Sequence, residues 1–287
     1  PVVLDCGNGT AGLAAPEIFR KLGCETTVLF GEPDGRFPNH HPDPTVPANL
    51  AALIQTVKEK RAAVGIAFDG DSDRIGAVDD EGGIIFGDFL LLLYAIGILK
   101  QGPATILSDV KCSGVLSDEV RAHGGKSVMW KTGHSLIKNK MKELSAPLAG
   151  EMSGHIFFKD GYYGFDDGIY AAVRLLQVVA HARESLAEMR AALPRVVNTP
   201  ELRFPCSEDR KFEVVEEVRD RLAAAKADVN AVDGVRVRTK DGWWLLRASN
   251  TQDVLVARCE AADAQGLERL KRALAAELEK SGIAAPL

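Results

Sequence analysis

The sequence lacks several features that mark common classes of protein. Lysine and arginine (35) are outnumbered by aspartate and glutamate (40), so the net charge of -5 gives no positive field for a polyanionic backbone. The longest apolar run, from Phe89 to Leu99, is about half of what a bilayer-spanning helix requires. The first absence argues against nucleic acid as a partner. The second argues against a membrane span and favours a buried helix.

The cysteines and the opening residues bear on the compartment in which the protein is expected. The cysteines are odd in number, widely separated and without the spacing of a metal-ligand pair; they are Cys6, Cys24, Cys112, Cys206 and Cys259. The opening residues PVVLDCGNG have neither the basic start nor the apolar core of a signal peptide. We therefore expect a cytoplasmic protein. Because PVVLDCGNG reads like the interior of a fold, we also expect the natural chain to extend upstream.

The chain does contain a repeated strand and helix pattern. At 287 residues and 46% hydrophobic composition, it is long enough for two or three domains with separate cores. The strand VVLDC, a glycine-rich turn, a helix from Leu13 to Leu22 and the strand ETTVLF form a unit with parallel strands. The same order returns as TILSDVKCSG, VLSDEVRAHGG and KSVMW. Since Asp5 and Asp109 occupy matching places, the sequence predicts two α/β domains of one design.

The pattern changes after the stretch from Pro194 to Pro200. A helix from Phe212 to Ala225, the strand pair GVRVRTKDGWWLLR and QDVLVARCEA, and a closing helix predict a smaller α+β domain with an antiparallel sheet. Asp263 is expected to cap the closing helix. Its apolar face is formed by Leu267, Leu270, Leu274 and Leu278. The predicted domains are residues 1–83, 84–196 and 197–287.

The segment AFDGDSDRIG has the clearest chemical character. Asp69, Asp71 and Asp73 alternate with small residues directly after the apolar strand AVGIAF. Hard divalent cations prefer oxygen ligands, so this loop predicts a Mg²⁺ site that leaves a position for a phosphate oxygen. A solvated acidic turn is the alternative. An EF-hand calcium loop is set aside, because Arg74 and Asp80 stand where that design requires glycine and glutamate.

A glycine-rich turn near the start offers a competing interpretation. Gly7, Gly9 and Gly12 match the dinucleotide-binding fingerprint, follow a strand, and have Glu32 downstream. Asp5 at the end of that strand argues against a bound pyrophosphate. The favoured interpretation is that the glycines permit a tight turn from strand to helix. A nicotinamide-dependent dehydrogenase is kept as a distant alternative.

Groups suited to a sugar occur in LAGEMSGHIFF and upstream of it. Glu151, Ser153 and His155 alternate, as on one side of an extended segment, and their carboxylate, hydroxyl and imidazole suit sugar hydroxyls. Lys111 and His134 could hold an anionic substrate. Each residue alone also has a structural explanation: Lys111 as a surface lysine, His134 as a helix-start residue and Glu151 as part of an ion pair.

A phosphate site is indicated by RASNT between two β-rich runs. The segment offers a guanidinium, two hydroxyls, an amide and turn N–H groups, from Arg247, Ser249, Asn250 and Thr251. Arginine pairs with phosphate in a bidentate manner, and turn amides add directed donors. An ordinary polar hairpin turn is the alternative.

Together, DGDSDR, GEMSGH and RASNT resemble the metal, sugar and phosphate loops of the α-D-phosphohexomutase superfamily, in the same order and one per domain. GEMSGH, RASNT, WKTGHSLIK and FPNHHPDP are most similar to its bifunctional phosphomannomutase/phosphoglucomutase branch. The resemblance implies reversible phosphoryl transfer between C1 and C6 of mannose or glucose phosphate, through a bisphosphorylated sugar and an enzyme phosphoserine. It also implies four domains, so that this chain supplies the second to fourth. Without the serine domain we expect the isolated chain to be inactive.

The resemblance further implies a role for each candidate residue. Mg²⁺ would be bound by Asp69, Asp71 and Asp73, with Arg74 near the transferred phosphoryl group. The sugar O3 and O4 hydroxyls would be bound by Glu151 and Ser153, in a pocket lined by Lys111, His134 and His155. The phosphate that is not transferred would be held by Arg247, Ser249, Asn250 and Thr251. Glucose 1,6-bisphosphate or mannose 1,6-bisphosphate is the implied activator, and small hexose phosphates are the implied partners.

The sequence departs from the family pattern in two places. Ser72 stands where glycine is usual in the metal loop. Gln252 and Asp253 replace a common threonine and proline, and an aspartate there could weaken phosphate binding. Because the implied serine domain is not in this sequence, a naturally truncated sugar-phosphate binding protein without catalysis is retained as the alternative function.

Overall fold

The computed structural model describes residues 1–285, and the chain divides into two compact units. Unit 1 comprises Pro1–Val128 and Gly133–Leu193. Unit 2 comprises Met129–Thr132 and the chain from Pro194 onward. Most of the two α/β segments that the sequence predicts thus falls in unit 1, and the C-terminal α+β segment falls in unit 2.

The first sheet of unit 1 is a mixed sheet, with three parallel strands and two further strands added by antiparallel pairing. Its elements are β1 (Val2–Asp5), α1 (Ala15–Lys21), β2 (Thr26–Leu29), α2 (Ala51–Lys60), β3 (Val64–Phe68), β4 (Ile75–Asp79) and β5 (Ile84–Ile85). The strand order is β2-β1-β3-β4-β5. β1 pairs with β2 and β3 in parallel, whereas β4 pairs with β3 and β5 in antiparallel. All residues of β3 and β4 are buried, so the loop joining them starts and ends in the core.

The second sheet repeats this design. Its elements are α3 (Gly87–Leu99), β6 (Thr105–Asp109), α4 (Gly114–Ala122), β7 (Lys126–Trp130), α5 (His134–Glu143), β8 (Leu148–Gly150), β9 (Ile156–Phe158), α6 (Gly168–His181) and α7 (Leu186–Ala191). The order β7-β6-β8-β9 matches β2-β1-β3-β4 strand for strand. β6 and β8 are parallel, and β9 is antiparallel to β8. The predicted duplication is confirmed, and the β8–β9 loop corresponds to the β3–β4 loop.

The helices of unit 1 agree with the sequence predictions, with one correction. The predicted buried helix is α3, in which the run from Leu90 to Ala95 is buried in the core. The predicted helix from Leu13 to Leu22 begins later, because Thr10–Leu13 forms a 3₁₀ turn and Pro16 lies in the first turn of α1. Proline has no N–H to donate and fits only such a first turn.

Unit 2 is an antiparallel sheet with helices packed on one face. Its elements are β10 (Val197–Asn198), β11 (Leu202–Pro205), α8 (Glu208–Ala224), β12 (Asp228–Asn230), β13 (Val235–Thr239), β14 (Gly242–Ala248), β15 (Val254–Ala261) and α9 (Ala264–Lys280). The order is β10-β15-β14-β13-β12, and β11 also pairs with β15. The side chain of Asp263 accepts the Gly266 N–H at 2.7 Å, which confirms the predicted cap of α9. The helix α8 begins a turn earlier than predicted, because Glu208 and Asp209 favour its N-terminus.

Two further expectations concern cysteines and membranes. The five cysteines are free thiols. Within residues 1–285, none of the helices combines the length and the apolar character that crossing a bilayer requires.

Candidate active site

The acidic loop between β3 and β4 brings three carboxylates together. Oxygen atoms of Asp69, Asp71 and Asp73 all lie within 4.8 Å of one another. Asp69 is buried and Asp71 is exposed, so the cluster runs from the core to the surface. An all-oxygen donor set at this spacing fits a hard divalent cation, and the exposed end leaves access for another ligand.

The electrostatics of the acidic loop also favour a bound cation. Burial raises the pKa of Asp73 to about 6, and the charges of Asp69, Asp71 and Asp166 add to this effect while His155 opposes it. The raised pKa means that the ionised form of Asp73 is held at an unfavourable free energy, first by burial and then by its carboxylate neighbours. A cation bound by the loop would remove that cost.

The glycine-rich turn supports this acidic loop. The Thr10 N–H donates to the Gly70 carbonyl at 3.0 Å, and the hydroxyls of Thr10 and Ser72 are 2.8 Å apart. A Cβ atom on Gly9 would lie 2.7 Å from the Gly70 oxygen, so only glycine allows this approach. Ser72 adopts the left-handed conformation (φ +68°), which explains why glycine would be comfortable at that position.

The carboxylate of Asp5 already binds to the glycine-rich turn. Asp5 is buried, and its side chain accepts the Gly7 N–H at 2.9 Å while both oxygens lie 3.1 Å from His40 Nε2. A bound pyrophosphate would need turn N–H groups of this kind, and it would meet the aspartate charge. The arrangement therefore argues against the dinucleotide interpretation.

Glu151 and Ser153 meet at the corresponding loop between β8 and β9. Glu151 is 3% exposed; it accepts the Gly133 N–H at 2.8 Å and the Ser153 hydroxyl at 3.1 Å. The expectation of an extended segment is wrong. The chain turns here, because the Gly154 N–H donates to the Glu151 carbonyl at 3.0 Å. The turn itself brings the carboxylate and the hydroxyl together.

The acidic loop and this second loop are joined through their backbones. The Ile75 N–H donates to the Gly154 carbonyl at 3.1 Å, and Arg74 and His155 form an antiparallel bridge. Gly154 has φ +97°, and a Cβ atom there would lie 2.3 Å from the Ile75 oxygen. Glycine is thus required for the two loops to approach, and the carboxylates and the sugar-type groups share one site in unit 1.

His155 lies between the acidic loop and Asp166. Its Nδ1 atom is 3.1 Å from Asp166 Oδ2 and 3.6 Å from Asp73 Oδ1. Burial alone would lower the pKa of His155, but the contact with Asp166 and the charges of Asp73 and Glu151 raise it overall. His155 is therefore a ring whose protonated form is favoured by three surrounding carboxyl groups.

Asp166 is a site residue that sequence reasoning missed. Burial would raise its pKa, but His155 and Lys138 hold it well below the usual range. The predicted His134 joins the same group, with Nδ1 at 3.3 Å from Asp166. A signal was available, because the neighbouring Asp167 already caps α6 through the Tyr170 N–H and leaves the second aspartate unexplained.

Lys111 and Asp109 lie near the buried carboxyl of Glu151. Burial and the charge of Asp109 raise the pKa of Glu151, whereas His155, the Gly133 N–H and Lys111 lower it. Asp109 also accepts the Met152 N–H at 3.3 Å. The end of β6 thus places one cation, the predicted Lys111, and one anion, Asp109, beside the sugar-type loop.

Arg74 is held in a fixed orientation by two aspartates. Its Nε atom donates to Asp69 at 2.7 Å, and Nη1 donates to Asp43 at 3.3 Å. Asp43 lies in FPNHHPDP and was not singled out as a site residue. The two contacts keep a guanidinium beside the carboxylate cluster.

Unit 2 contains the predicted phosphate loop between β14 and β15. Arg247 lies within β14 and not in the loop; it is 4% exposed and donates from Nε to Asp233 at 3.0 Å. Its Nη2 atom is buried and has no hydrogen-bond partner within residues 1–285. The Ser249 hydroxyl accepts the N–H groups of Thr251 and Gln252 at 3.3 and 3.2 Å. The turn leaves Asn250 and Thr251 exposed.

Comparison with known proteins assigns the family. Three models of the phosphoglucomutase/phosphomannomutase family match the chain: alpha/beta/alpha domain II over residues 1–83, alpha/beta/alpha domain III over residues 86–197, and the C-terminal domain over residues 201–277. The chain belongs to this family. Each of the three matched stretches contains one of the loops: the acidic loop lies in the first, the sugar-type loop in the second and the phosphate loop in the third.

Individual family members cover the chain almost completely. A phosphomannomutase/phosphoglucomutase of Pseudomonas putida is 49% identical over 94% of the chain and 58% of its own length. A phosphoglucomutase of Neisseria gonorrhoeae is 43% identical over 98% of the chain and 61% of its own length. The crystal structure of a phosphoglucomutase/phosphomannomutase family protein from Burkholderia thailandensis superposes with a TM-score of 0.93 at 44% identity, over 100% of the chain and 62% of that structure. The chain therefore spans about three fifths of the length of these relatives.

Proposed function

We propose that this protein acts as a phosphomannomutase/phosphoglucomutase, which moves a phosphoryl group between C1 and C6 of mannose or glucose phosphate. An enzyme phosphoserine would donate its phosphoryl group to the free sugar hydroxyl, and the serine so released would accept the other phosphoryl group from the bisphosphorylated sugar intermediate. The observation that carries the proposal is the pairing of Arg74 with His155, which unites the acidic loop with the sugar-type loop. A relative that is 49% identical over 94% of this chain is named phosphomannomutase/phosphoglucomutase.

The acidic loop would neutralise the transferred phosphoryl group. Asp69, Asp71 and Asp73 would hold Mg²⁺, which supplies positive charge to phosphate oxygens. Arg74 is already oriented by Asp69, so its guanidinium can pair with a phosphoryl oxygen without a further ordering cost. Phosphoryl transfer needs positioning and charge neutralisation more than covalent assistance, and these residues provide both.

In its neutral form, with the proton on Nδ1, His155 would accept the proton of the attacking sugar hydroxyl. Nδ1 faces Asp166, so Nε2 is the ring atom left to exchange a proton with substrate. The carboxyl groups around the ring stabilise the imidazolium that forms. In the reverse transfer the same ring would return the proton.

The remaining residues would bind the sugar and its second phosphate. Glu151 and Ser153 would contact O3 and O4, which glucose and mannose share, so both sugars would be accepted. Lys111 and His134 would line the same pocket. The phosphate that stays in place would be held by Arg247, Ser249, Asn250 and Thr251. Glucose 1,6-bisphosphate would serve as activator by restoring the phosphoserine.

Two charge-removing substitutions, of which Glu151→Gln is isosteric, test these assignments by ligand binding. Glu151→Gln should weaken mannose 6-phosphate and glucose 6-phosphate by about 1 to 3 kcal/mol, through loss of a charged acceptor, and should leave inorganic phosphate unchanged. Arg247→Gln should weaken all three ligands by about 1.5 to 3 kcal/mol, or roughly ten- to hundredfold, through loss of a charged donor.

The measurement is calorimetric titration of the 287-residue chain at fixed ionic strength. Matched controls are Glu25→Gln and Arg238→Gln, which remove exposed charges away from the candidate site. Hexose phosphate affinity that is unchanged in Glu151→Gln would contradict the sugar assignment. Unchanged phosphate affinity in Arg247→Gln would contradict the phosphate assignment.

A further inference from the structure

Lys211 is an unusual lysine. It lies in the first turn of α8, and its side chain is 0% exposed. Lysine is almost never fully buried unless it is paired, and a cation in the first turn of a helix opposes the helix dipole. Neither burial nor helix stability explains this residue, so its contacts must.

The contacts of Lys211 lead to the phosphate loop. Its Nζ atom donates to the backbone carbonyl of Gln252 at 3.0 Å and also to the carboxylate of Glu208. The ammonium also lies 5.2 Å from the centre of the Phe212 ring. Glu208 is mostly exposed and can be solvated without the lysine, whereas the carbonyl lies in the turn that follows Thr251.

Both the backbone N–H and the backbone carbonyl of Gln252 are hydrogen-bonded. Its N–H donates to the Ser249 hydroxyl at 3.2 Å, and its carbonyl accepts the Val254 N–H at 2.8 Å in addition to Lys211. The same Ser249 hydroxyl accepts the Thr251 N–H. The orientation of the Gln252 peptide therefore sets the direction of the turn from Ser249 to Thr251.

We propose that Lys211 is a positioning residue for the phosphate-binding loop. By holding the Gln252 carbonyl it fixes the conformation of the turn that would present Ser249, Asn250 and Thr251 to an anion. The inference rests on the proposed function of residues 249–251 as the phosphate site. Its second consequence is electrostatic, because the lysine places one positive charge beside the carboxylate of Glu208, which would otherwise oppose a phosphate.

Lys211→Met removes the donor and the charge but keeps the length of the side chain. Val254 still donates to the Gln252 carbonyl, and Glu208 can turn to solvent, so the variant leaves no buried group without a partner. We expect the dissociation constant for inorganic phosphate to rise about three- to tenfold. In the ligand-free protein, the amide NMR signals of residues 249–252 should move.

Two variants separate positioning from general stability and from charge. Val218→Ala opens a cavity in α8 at a fully buried site and should lower the melting temperature without changing phosphate affinity. Glu208→Gln keeps the bond from Lys211 to the carbonyl, and its phosphate affinity should not fall below that of the wild type. Should Lys211→Met reduce the folded yield, Lys211→Gln is compared in its place, with the same direction expected.

The measurements distinguish a failure of the Lys211 inference from a failure of the phosphate-loop assignment on which it rests. If Lys211→Met binds phosphate like the wild type while Arg247→Gln is weakened, Lys211 is not a positioning residue and the phosphate assignment stands. If Val218→Ala weakens phosphate as much as Lys211→Met does, the effect is one of stability and the inference fails. If Arg247→Gln binds phosphate normally, the phosphate loop itself is wrongly assigned, and the inference falls with it.

Discussion

Acidification should weaken divalent metal binding at the acidic loop. Burial and the neighbouring carboxylates raise the pKa of Asp73 to about 6, so this group is mostly ionised at neutral pH and mostly protonated near pH 5. Only the ionised carboxylate is a metal ligand, and a proton therefore competes directly with Mg²⁺. The affinity for Mg²⁺ is therefore highest above the pKa of Asp73 and falls as the pH drops through that pKa.

The magnitude follows from competition by a single proton. The apparent dissociation constant is multiplied by one plus the ratio of protonated to ionised Asp73. With a pKa of about 6 this factor is about 1.1 at pH 7 and about 11 at pH 5, so affinity should fall roughly tenfold. Calorimetric titration with magnesium chloride at these two pH values and constant ionic strength measures it.

Asp73→Asn supplies the control. The amide cannot titrate, so this variant should bind Mg²⁺ more weakly than the wild type but should lose most of the change between pH 7 and pH 5. If the wild-type affinity does not change with pH, or if Asp73→Asn shows the full tenfold change, Asp73 is not the group that links protons to metal binding.

Two further predictions concern the junction of the loops. Asp166→Asn should lower the pKa of His155, because the strongest partner of the imidazolium becomes neutral. An NMR titration of the His155 ring in the metal-free chain measures this pKa. An unchanged midpoint would contradict the pairing of His155 with Asp166. Gly154→Ala should lower the free energy of unfolding by about 1 to 3 kcal/mol, because its Cβ atom would overlap the Ile75 oxygen. In the control Gly97→Ala in α3, the new Cβ atom meets nothing within 4 Å, so this variant should be neutral or stabilising. Urea titration measures both.

The sequence predicted those parts of the site that depend on local pattern. The apolar strand before Asp69 and the alternating aspartates determine where the acidic loop lies, because strand ends and turn residues are local properties. The repeat of Asp5 at Asp109 predicted the duplicated sheets. Asp263 predicted the cap of α9 because a capping interaction spans only a few residues.

Contacts that depend on tertiary packing were not predictable in this way. The adjacent aspartates before α6 indicate that one of them has a role other than capping, but the contact of Asp166 with His155 depends on the pairing of β9 with the segment before α6, which no local pattern shows. Asp43 reaches Arg74 across 31 positions of sequence. Lys211 reads as one more charge on an amphipathic helix, because its burial depends on the β14–β15 turn above it.

The equivalence of the β3–β4 and β8–β9 loops has a consequence for protein engineering. The two loops form a short backbone ladder, in which the Ile75 N–H donates to the Gly154 carbonyl and Arg74 pairs with His155; the Gly168 N–H at the start of α6 also donates to the Ser72 carbonyl. A chimera that takes one loop from a relative and keeps the other from this chain would mismatch that ladder. Exchange of substrate or metal preference between family members should therefore succeed only when both loops are transplanted as a matched pair.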